Sequence, residues 1–171
     1  MGVTVILLLP LVIATLIARA GAGLLARKDR RAQAWSTWPA AAGIGVSVVF
    51  VSASVTHFIE PQRSGLIAIV PDILPAPDLI VTASGVLELA LAAGLVVPRT
   101  RRVAAVAAVV LLVLMFPANI VAAAGVDNPA APSTPLVPRA IAQLVFVVAA
   151  VIAALPGRAR GTELPGAGGG R

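Results

Sequence analysis

Five long apolar runs dominate the chain, and the polar residues are concentrated between them. An apolar run of about 17 to 25 residues is long enough to cross a bilayer as an α-helix. The runs are too long for the strands of a membrane β-barrel, and they lack the alternation of apolar and polar positions that such strands require. The pattern therefore predicts an all-α fold, a polytopic transmembrane helical bundle. Its predicted spans are residues 3–25, 39–58, 77–97, 103–124 and 138–155.

Prolines and a short turn help to define these spans. Pro39, Pro77 and Pro138 stand at predicted helix starts, where a proline loses no helical hydrogen bond. Only Pro98 to Arg102 separates the third span from the fourth. Two helices joined by so short a turn must be antiparallel neighbours.

The remaining segments differ in character. The loop over residues 59–76 mixes apolar residues with prolines that cannot continue a helix, so we expect it to lie in the interface or to fold back over the bundle as a lid. Residues 1–157 are expected to form a single transmembrane bundle. Residues 158–171 are rich in glycine, and we expect them to be a disordered cytoplasmic tail.

The basic residues are distributed unevenly between the two ends of the predicted bundle. Ten of the thirteen lie in the first connection, in the third connection or in the tail. The positive-inside rule assigns that side to the cytoplasm, which places the N-terminus outside and the C-terminus inside an inner or plasma membrane. Arg19, inside the first span, can extend towards the headgroups. The chain lacks a basic N-terminal segment, and cleavage after Ala20 would expose a basic cluster for export, so a cleaved signal peptide is disfavoured.

Composition agrees with a membrane protein. Hydrophobic residues make up 59% of the chain and charged residues 12%, and the mean hydropathy is +1.01. The absence of cysteine excludes an intrinsic dithiol, a thiolate metal site and c-type haem attachment, and we predict no metal site and no intrinsic cofactor. The arginines cluster at span ends without a nucleic-acid-binding motif, so nucleic acid is not an expected partner.

Glu88 is the most unusual residue, because it lies near the middle of the third apolar run. A charge at that depth costs roughly 2.5 to 3.5 kcal/mol on insertion scales, so a carboxyl group there needs partners within the protein. Without a cationic partner, we expect Glu88 to be neutral and to donate a hydrogen bond.

Three more polar positions lie in the same half of the bundle: His57, Asn119 and Gln143. Their depths suggest a polar column that descends to Glu88 and is open to the outside. From the tilt of helical side chains towards the helix N-terminus, Asn119 is the expected partner of Glu88. We expect Arg139 to lie too high to reach Glu88 and to meet an acidic residue at the mouth. The alternative is that these groups only join helices by hydrogen bonds.

From Pro39 onwards, about two thirds of the chain resembles the DoxX-like integral membrane proteins. The residues that carry the resemblance follow one another in order: His57, Phe58, Pro61, Val70, Pro71, Leu74, Pro75, Gly85, Glu88, Leu89, Gly94, Leu95, Pro98, Arg99, Pro117, Ala118, Asn119, Arg139 and Gln143. The resemblance implies a four-helix core, to which the first span is an N-terminal addition. It also implies, for some members, association with membrane redox complexes, including subunits linked to quinone reduction.

Three functional hypotheses remain open at this point. In the first hypothesis, the chain is a subunit that binds a quinone or another lipophilic small molecule, and the candidate ligand-binding residues are Glu88, Asn119, Gln143, His57 and Arg139. In the second hypothesis, the chain is a non-enzymatic scaffold or assembly factor for a partner complex. The third hypothesis is a proton-coupled transporter that uses Glu88, although the chain shows no inverted repeat. An enzyme acting alone is disfavoured, because the sequence has no dinucleotide-binding loop and no haem-ligating histidine pair.

Overall fold

A computed structural model describes residues 2–27 and 29–157; for residues 2–7 and 30–32 it describes the backbone only. Six α-helices and one 3-10 helix follow one another in this part of the chain. The helices are α1 (Gly2–Leu25), α2 (Trp38–Thr56), α3 (Gln62–Ala68), α4 (Pro77–Val96), α5 (Arg101–Ala124) and α6 (Leu136–Ala154), with the 3-10 helix at Arg30–Trp35 between α1 and α2. The described residues form no strand.

Five of these helices are long and apolar enough to cross a membrane, as the sequence predicts. Each predicted span boundary lies within two residues of a helix end. Pro39 and Pro77 occupy the first two positions of their helices, as expected of prolines at helix starts. The predicted tail, residues 158–171, lies outside the described residues.

Four helices close into a ring. Helix α2 contacts α4 and α6, and α5 contacts the same two helices on the opposite side of the ring. Helix α1 packs outside this ring, against α2 and α6. Half of the α2 span is buried, a larger share than in any other span, so α2 is the central helix of the bundle.

Small residues allow the ring to pack closely. The core of the described bundle contains a series of buried alanines: Ala42, Ala92, Ala104, Ala105, Ala108, Ala150 and Ala153. Without a hydrophobic driving force between helices in lipid, close backbone approach and interhelical hydrogen bonds hold such bundles together. The Ser47 hydroxyl donates one of these bonds to the Ala92 carbonyl, at 2.8 Å, and so joins α2 to α4.

The two ends of the bundle differ. At one end, which we call the α3 end, the short helix α3 and the loop of residues 125–135 lie together, and the Asn128 amide donates a hydrogen bond to the Ser64 carbonyl. Prolines prevent a long helix in the loop of residues 59–76. The short helix α3, which precedes Pro71, was not predicted from the sequence. The opposite end, the α1–α2 end, carries the 3-10 helix and the α4–α5 turn.

Candidate functional site

His57 and Glu88 meet inside the α3 half of the ring. His57 is the first residue after α2, and Glu88 lies in the fourth turn of α4. The His57 Nε2 atom is 3.5 Å from the Glu88 Oε2 atom, and the two residues are 4% and 3% exposed. Gly85 makes room for this contact, because a Cβ atom at that position would lie 2.7 Å from the His57 Cβ atom. The carboxyl group predicted to need a partner therefore has an imidazole beside it.

The backbone of α4 determines which histidine nitrogen carries a hydrogen. The His57 Nδ1 atom lies 2.8 Å from the Val81 carbonyl oxygen. A carbonyl oxygen can only accept a hydrogen bond, so Nδ1 carries the hydrogen and donates it. Nε2 then holds either a lone pair facing a protonated Glu88 or a hydrogen facing a carboxylate. No described residue forms a hydrogen bond with Glu88 Oε2, so the 3.5 Å separation is a close contact between two titratable groups and not a completed hydrogen bond.

A cavity of about 130 Å³ adjoins this pair. It lies between α4 and α5, and α3 and the chain that follows α3 close it at the α3 end. Its lining is apolar apart from the His57 ring and the Ser84 side chain: His57, Leu66, Ile69, Val70, Pro71, Leu74, Ile80, Val81, Ser84, Leu114, Met115, Pro117 and Ala118. The loop predicted to lie in the interface or to act as a lid therefore supplies a cavity wall.

Ser84 is the polar group beside His57 in the wall of the cavity. Its hydroxyl donates a hydrogen bond to the Val81 carbonyl at 2.9 Å, and its Oγ atom lies 3.1 Å from His57 Nδ1. A serine hydroxyl rotates freely and can donate to a different acceptor. A molecule in the cavity with a carbonyl oxygen could therefore receive this hydrogen bond in place of Val81.

Arg63 fastens α3 over the cavity. Its guanidinium group donates to the His57 carbonyl at 2.7 Å and to the Thr82 hydroxyl at 3.1 Å, and it lies 3.6 Å from an Asp78 carboxylate oxygen. These contacts join α3 to the end of α2 and to the first turns of α4. The charged arginine thus holds the apolar lid in one position relative to His57.

A second polar cluster joins α5 to α6. The Arg139 Nη1 atom donates to the Asn119 Oδ1 atom at 3.1 Å, and the Asn119 amide donates to the Gln143 Oε1 atom at 2.6 Å. Gln143 in turn donates to the Leu112 carbonyl. Arg139 also donates to the Thr134 carbonyl at 2.6 Å.

The predicted polar column is therefore wrong, because its members form two clusters on different pairs of helices. Asn119 is not the partner of Glu88; it bonds Gln143 and Arg139, and His57 lies against Glu88 instead. The acidic partner expected for Arg139 is also wrong, since Arg139 bonds Asn119 and Thr134. The rotation of each helix about its axis places these side chains on different helix interfaces.

Two residues beside the cavity, Ser84 and Arg63, were not among the predicted site residues. Ser84 lies four residues before Glu88, a spacing that places two side chains on one face of a helix, so this signal was available. No comparable periodic signal pointed to Arg63, because α3 itself was not predicted. Among the described residues, no group of three or more histidine or acidic side chains is placed to hold a metal ion.

Comparison with known proteins gives one finding. A family model with the description "Domain of unknown function (DUF8561)" matches residues 46–155, which run from the middle of α2 to the end of α6 and include both polar clusters. No curated protein and no solved structure matches the chain. The resemblance to the DoxX-like proteins stays a prediction, because these findings do not bear on it.

Proposed function

We propose that this chain, which belongs to the DUF8561 family, binds the ring of a lipophilic small molecule in the cavity beside His57. A quinone is the class of ligand that we favour. The observation that carries the proposal is the position of the cavity: an apolar space whose lining includes a serine hydroxyl and an imidazole, the latter in contact with a buried carboxyl group. Apolar pockets with a few converging polar groups are the usual form of small-molecule sites.

The size of the cavity supports a single ring. An engineered protein cavity of about 150 Å³ takes up benzene. The present cavity, of about 130 Å³, is of similar size and suits one six-membered ring. Two of its lining residues, Leu74 and Leu114, are 44% and 70% exposed, so the cavity wall reaches the outer surface of the bundle. A hydrocarbon tail would leave through this side into the lipid.

The polar groups support a ligand that accepts hydrogen bonds. Ser84 would donate to a ring carbonyl, and the remaining lining would exclude water from the ring. The His57 and Glu88 side chains, 3.5 Å apart, would place two titratable groups next to the ligand. Any electron carrier would belong to a partner protein in the membrane, which we propose as a redox complex.

We also propose an orientation for the site. The basic residues of the 3-10 helix and of the α4–α5 turn lie at the α1–α2 end, and the positive-inside rule assigns that end to the cytoplasm. The α3 end and the cavity would then face the outside of a bacterial inner membrane, and the ligand would enter from the outer leaflet.

The proposal is tested by filling the cavity. Ala118→Phe places a ring in the cavity, whereas Val113→Phe adds the same ring to α5 at a residue that is 57% exposed. We expect a decyl-substituted benzoquinone to raise the thermal unfolding midpoint of the wild type and of Val113→Phe in mild detergent, but not that of Ala118→Phe. Ser84→Ala should weaken quinone affinity about fivefold, the effect of one hydrogen bond.

Two results would contradict this proposal. The first is a wild-type protein that copurifies with no lipophilic molecule and shows no quinone-dependent change in its unfolding midpoint. The second is an Ala118→Phe variant that responds to quinone as the wild type does. The scaffold hypothesis predicts the first result together with an unchanged partner complex in Ala118→Phe, so one set of variants separates the two functions.

A further inference from the structure

A second apolar site lies at the α1–α2 end, away from the cavity beside His57. Its inner part is a groove of about 230 Å³ between α1, α2 and α6. Its outer part is a wider recess of about 450 Å³ at the start of α2 and the end of α6. The two parts share Trp38 and Ile152, so they form one continuous groove. We call this the Trp38 groove.

The inner part has the surface of a lipid-chain site. Its lining is almost wholly aliphatic, with the ring of Trp38 at one end: Leu11, Val12, Thr15, Leu16, Trp38, Ala42, Ala149 and Ile152. From Leu11 to Leu16 the groove follows α1 for about 7.5 Å at the helical rise, and Arg19 lies beyond it beside Trp38. A slot of this form, parallel to the helices and open to the bilayer, matches a hydrocarbon chain in shape and polarity.

Arg19 places a positive charge at the end of this slot that is nearest to Trp38. Its guanidinium carbon lies 5.4 Å from the centre of the Trp38 ring, a cation–π distance. The side chain extends along α1 towards Gly23, where its Nη1 atom would lie 3.4 Å from an added Cβ atom. The arginine therefore reaches towards the helix end, as a side chain does when it brings its charge to the headgroup region. Trp38, 57% exposed, lies where tryptophans typically mark the membrane interface.

Arg19 also retains hydrogen-bonding capacity. Its Nε atom is buried and has no hydrogen-bond partner among the described residues. Arg101 at the same end also has a buried nitrogen without a partner, Nη2, but it is only 8% exposed, donates from Nε to the Leu95 carbonyl and stacks on Trp35. Arg101 is thus enclosed by the bundle, whereas Arg19 borders an open groove.

From this geometry we infer that the Trp38 groove binds an anionic phospholipid. Arg19 contacts the headgroup phosphate, Trp38 lies at the glycerol level, and one acyl chain occupies the slot between α1 and α6. Charge complementarity selects the lipid, because basic pockets between transmembrane helices on the cytoplasmic side attract anionic headgroups. The site includes α1, all of which precedes the matched residues 46–155, and it does not depend on the cavity beside His57.

Native mass spectrometry of the full chain in mild detergent tests the headgroup contact. We expect titration with phosphatidylglycerol to give a one-to-one adduct that phosphatidylcholine gives at least tenfold more weakly. Arg19→Gln should weaken the phosphatidylglycerol adduct tenfold or more. Arg99→Gln is the matched control: it removes the same charge from an exposed position at the same end, and the adduct should persist.

A second variant tests the acyl chain. Ala149→Leu fills the slot without changing any charge, and it should weaken the adduct while Arg19 is intact. Inorganic phosphate should not compete with the lipid, since it lacks the chain. The inference is overturned if Arg19→Gln and Arg99→Gln bind alike, if phosphatidylcholine binds equally well, or if Ala149→Leu retains the adduct. The thermal unfolding midpoints of the lipid-free variants identify any variant that fails to fold. Arg19→Lys keeps the positive charge, so it should bind phosphatidylglycerol more tightly than Arg19→Gln does.

Discussion

Glu88 lies about 16 Å along α4 from its first residue at a rise of 1.5 Å per residue, so an isolated charge there would be far from water. A carboxylate at such a depth costs roughly 2.5 to 3.5 kcal/mol on insertion scales. The Val81 carbonyl reduces this problem, because it fixes the hydrogen on His57 Nδ1 and turns Nε2 towards Glu88. A neutral carboxyl group beside a neutral imidazole, or a carboxylate beside an imidazolium, leaves the pair without net charge.

At the same scale, Arg139 depends on Asn119. Asn119→Leu removes the acceptor of Arg139 and the donor to Gln143, so we expect a loss of about 2 kcal/mol in the free energy of unfolding. In an Arg139→Leu background, the same change should cost at least about 1 kcal/mol less, since the two residues are coupled. Reversible unfolding in mixed micelles of dodecyl maltoside and dodecyl sulfate measures both values.

Ser47→Ala provides the control for this cycle. Ser47 donates a hydrogen bond to Ala92 between α2 and α4. Among the described residues it shares no hydrogen-bond partner with Arg139. Its effect should add to that of Arg139→Leu within about 0.5 kcal/mol. If the Asn119 cycle is equally additive, the cluster between α5 and α6 does not act as a unit.

At the scale of elements, the short helix α3 decides whether the cavity exists. Apolar residues at its end and in the following chain form the lid, and Arg63 binds α3 to the first turns of α4. Gly65 faces the loop of residues 125–135 so closely that a Cβ atom would overlap the Ala130 carbonyl group. Backbone from two separate connections thus meets at a position that has no side chain.

Gly65→Ala should therefore displace α3. We expect the overlap to lower the free energy of unfolding by about 1 to 3 kcal/mol and to abolish the quinone-dependent rise in the unfolding midpoint. Gly21→Ala is the matched control in α1, because a Cβ atom there meets nothing within 4 Å. This control should be neutral or slightly stabilising, since alanine favours helix more than glycine does. Equal behaviour of the two variants would show that α3 does not need this contact.

At the scale of the whole molecule, the four-helix ring and the outer helix α1 create two sites at opposite ends. The cavity beside His57 lies within the ring at the α3 end. The Trp38 groove lies where α1 joins the ring at the α1–α2 end. In the proposed orientation, the cavity lies near the outer leaflet and the Trp38 groove lies near the cytoplasmic leaflet.

This orientation can be measured directly, because the chain contains no cysteine. Asp72→Cys introduces a thiol in the exposed loop of the α3 end, and Arg99→Cys introduces one in the exposed turn between α4 and α5. In intact spheroplasts, a membrane-impermeant maleimide should label the first variant and leave the second unlabelled until the membrane is permeabilised. The reverse pattern would place the cavity on the cytoplasmic side.

The sequence by itself determined the number of spans, their boundaries and the expense of Glu88, because hydrophobic length and a buried charge are local properties. It also indicated that the Arg19 side chain can extend towards the headgroups. Only the tertiary structure decided the partners. The rotation of each helix about its axis places Asn119 beside Gln143 and not beside Glu88, and it places His57 beside Glu88. Contacts between residues distant in sequence pack α3 and the following chain near Ser84 and so form a cavity. These outcomes depend on how separate helices pack, which a pattern along one chain does not contain.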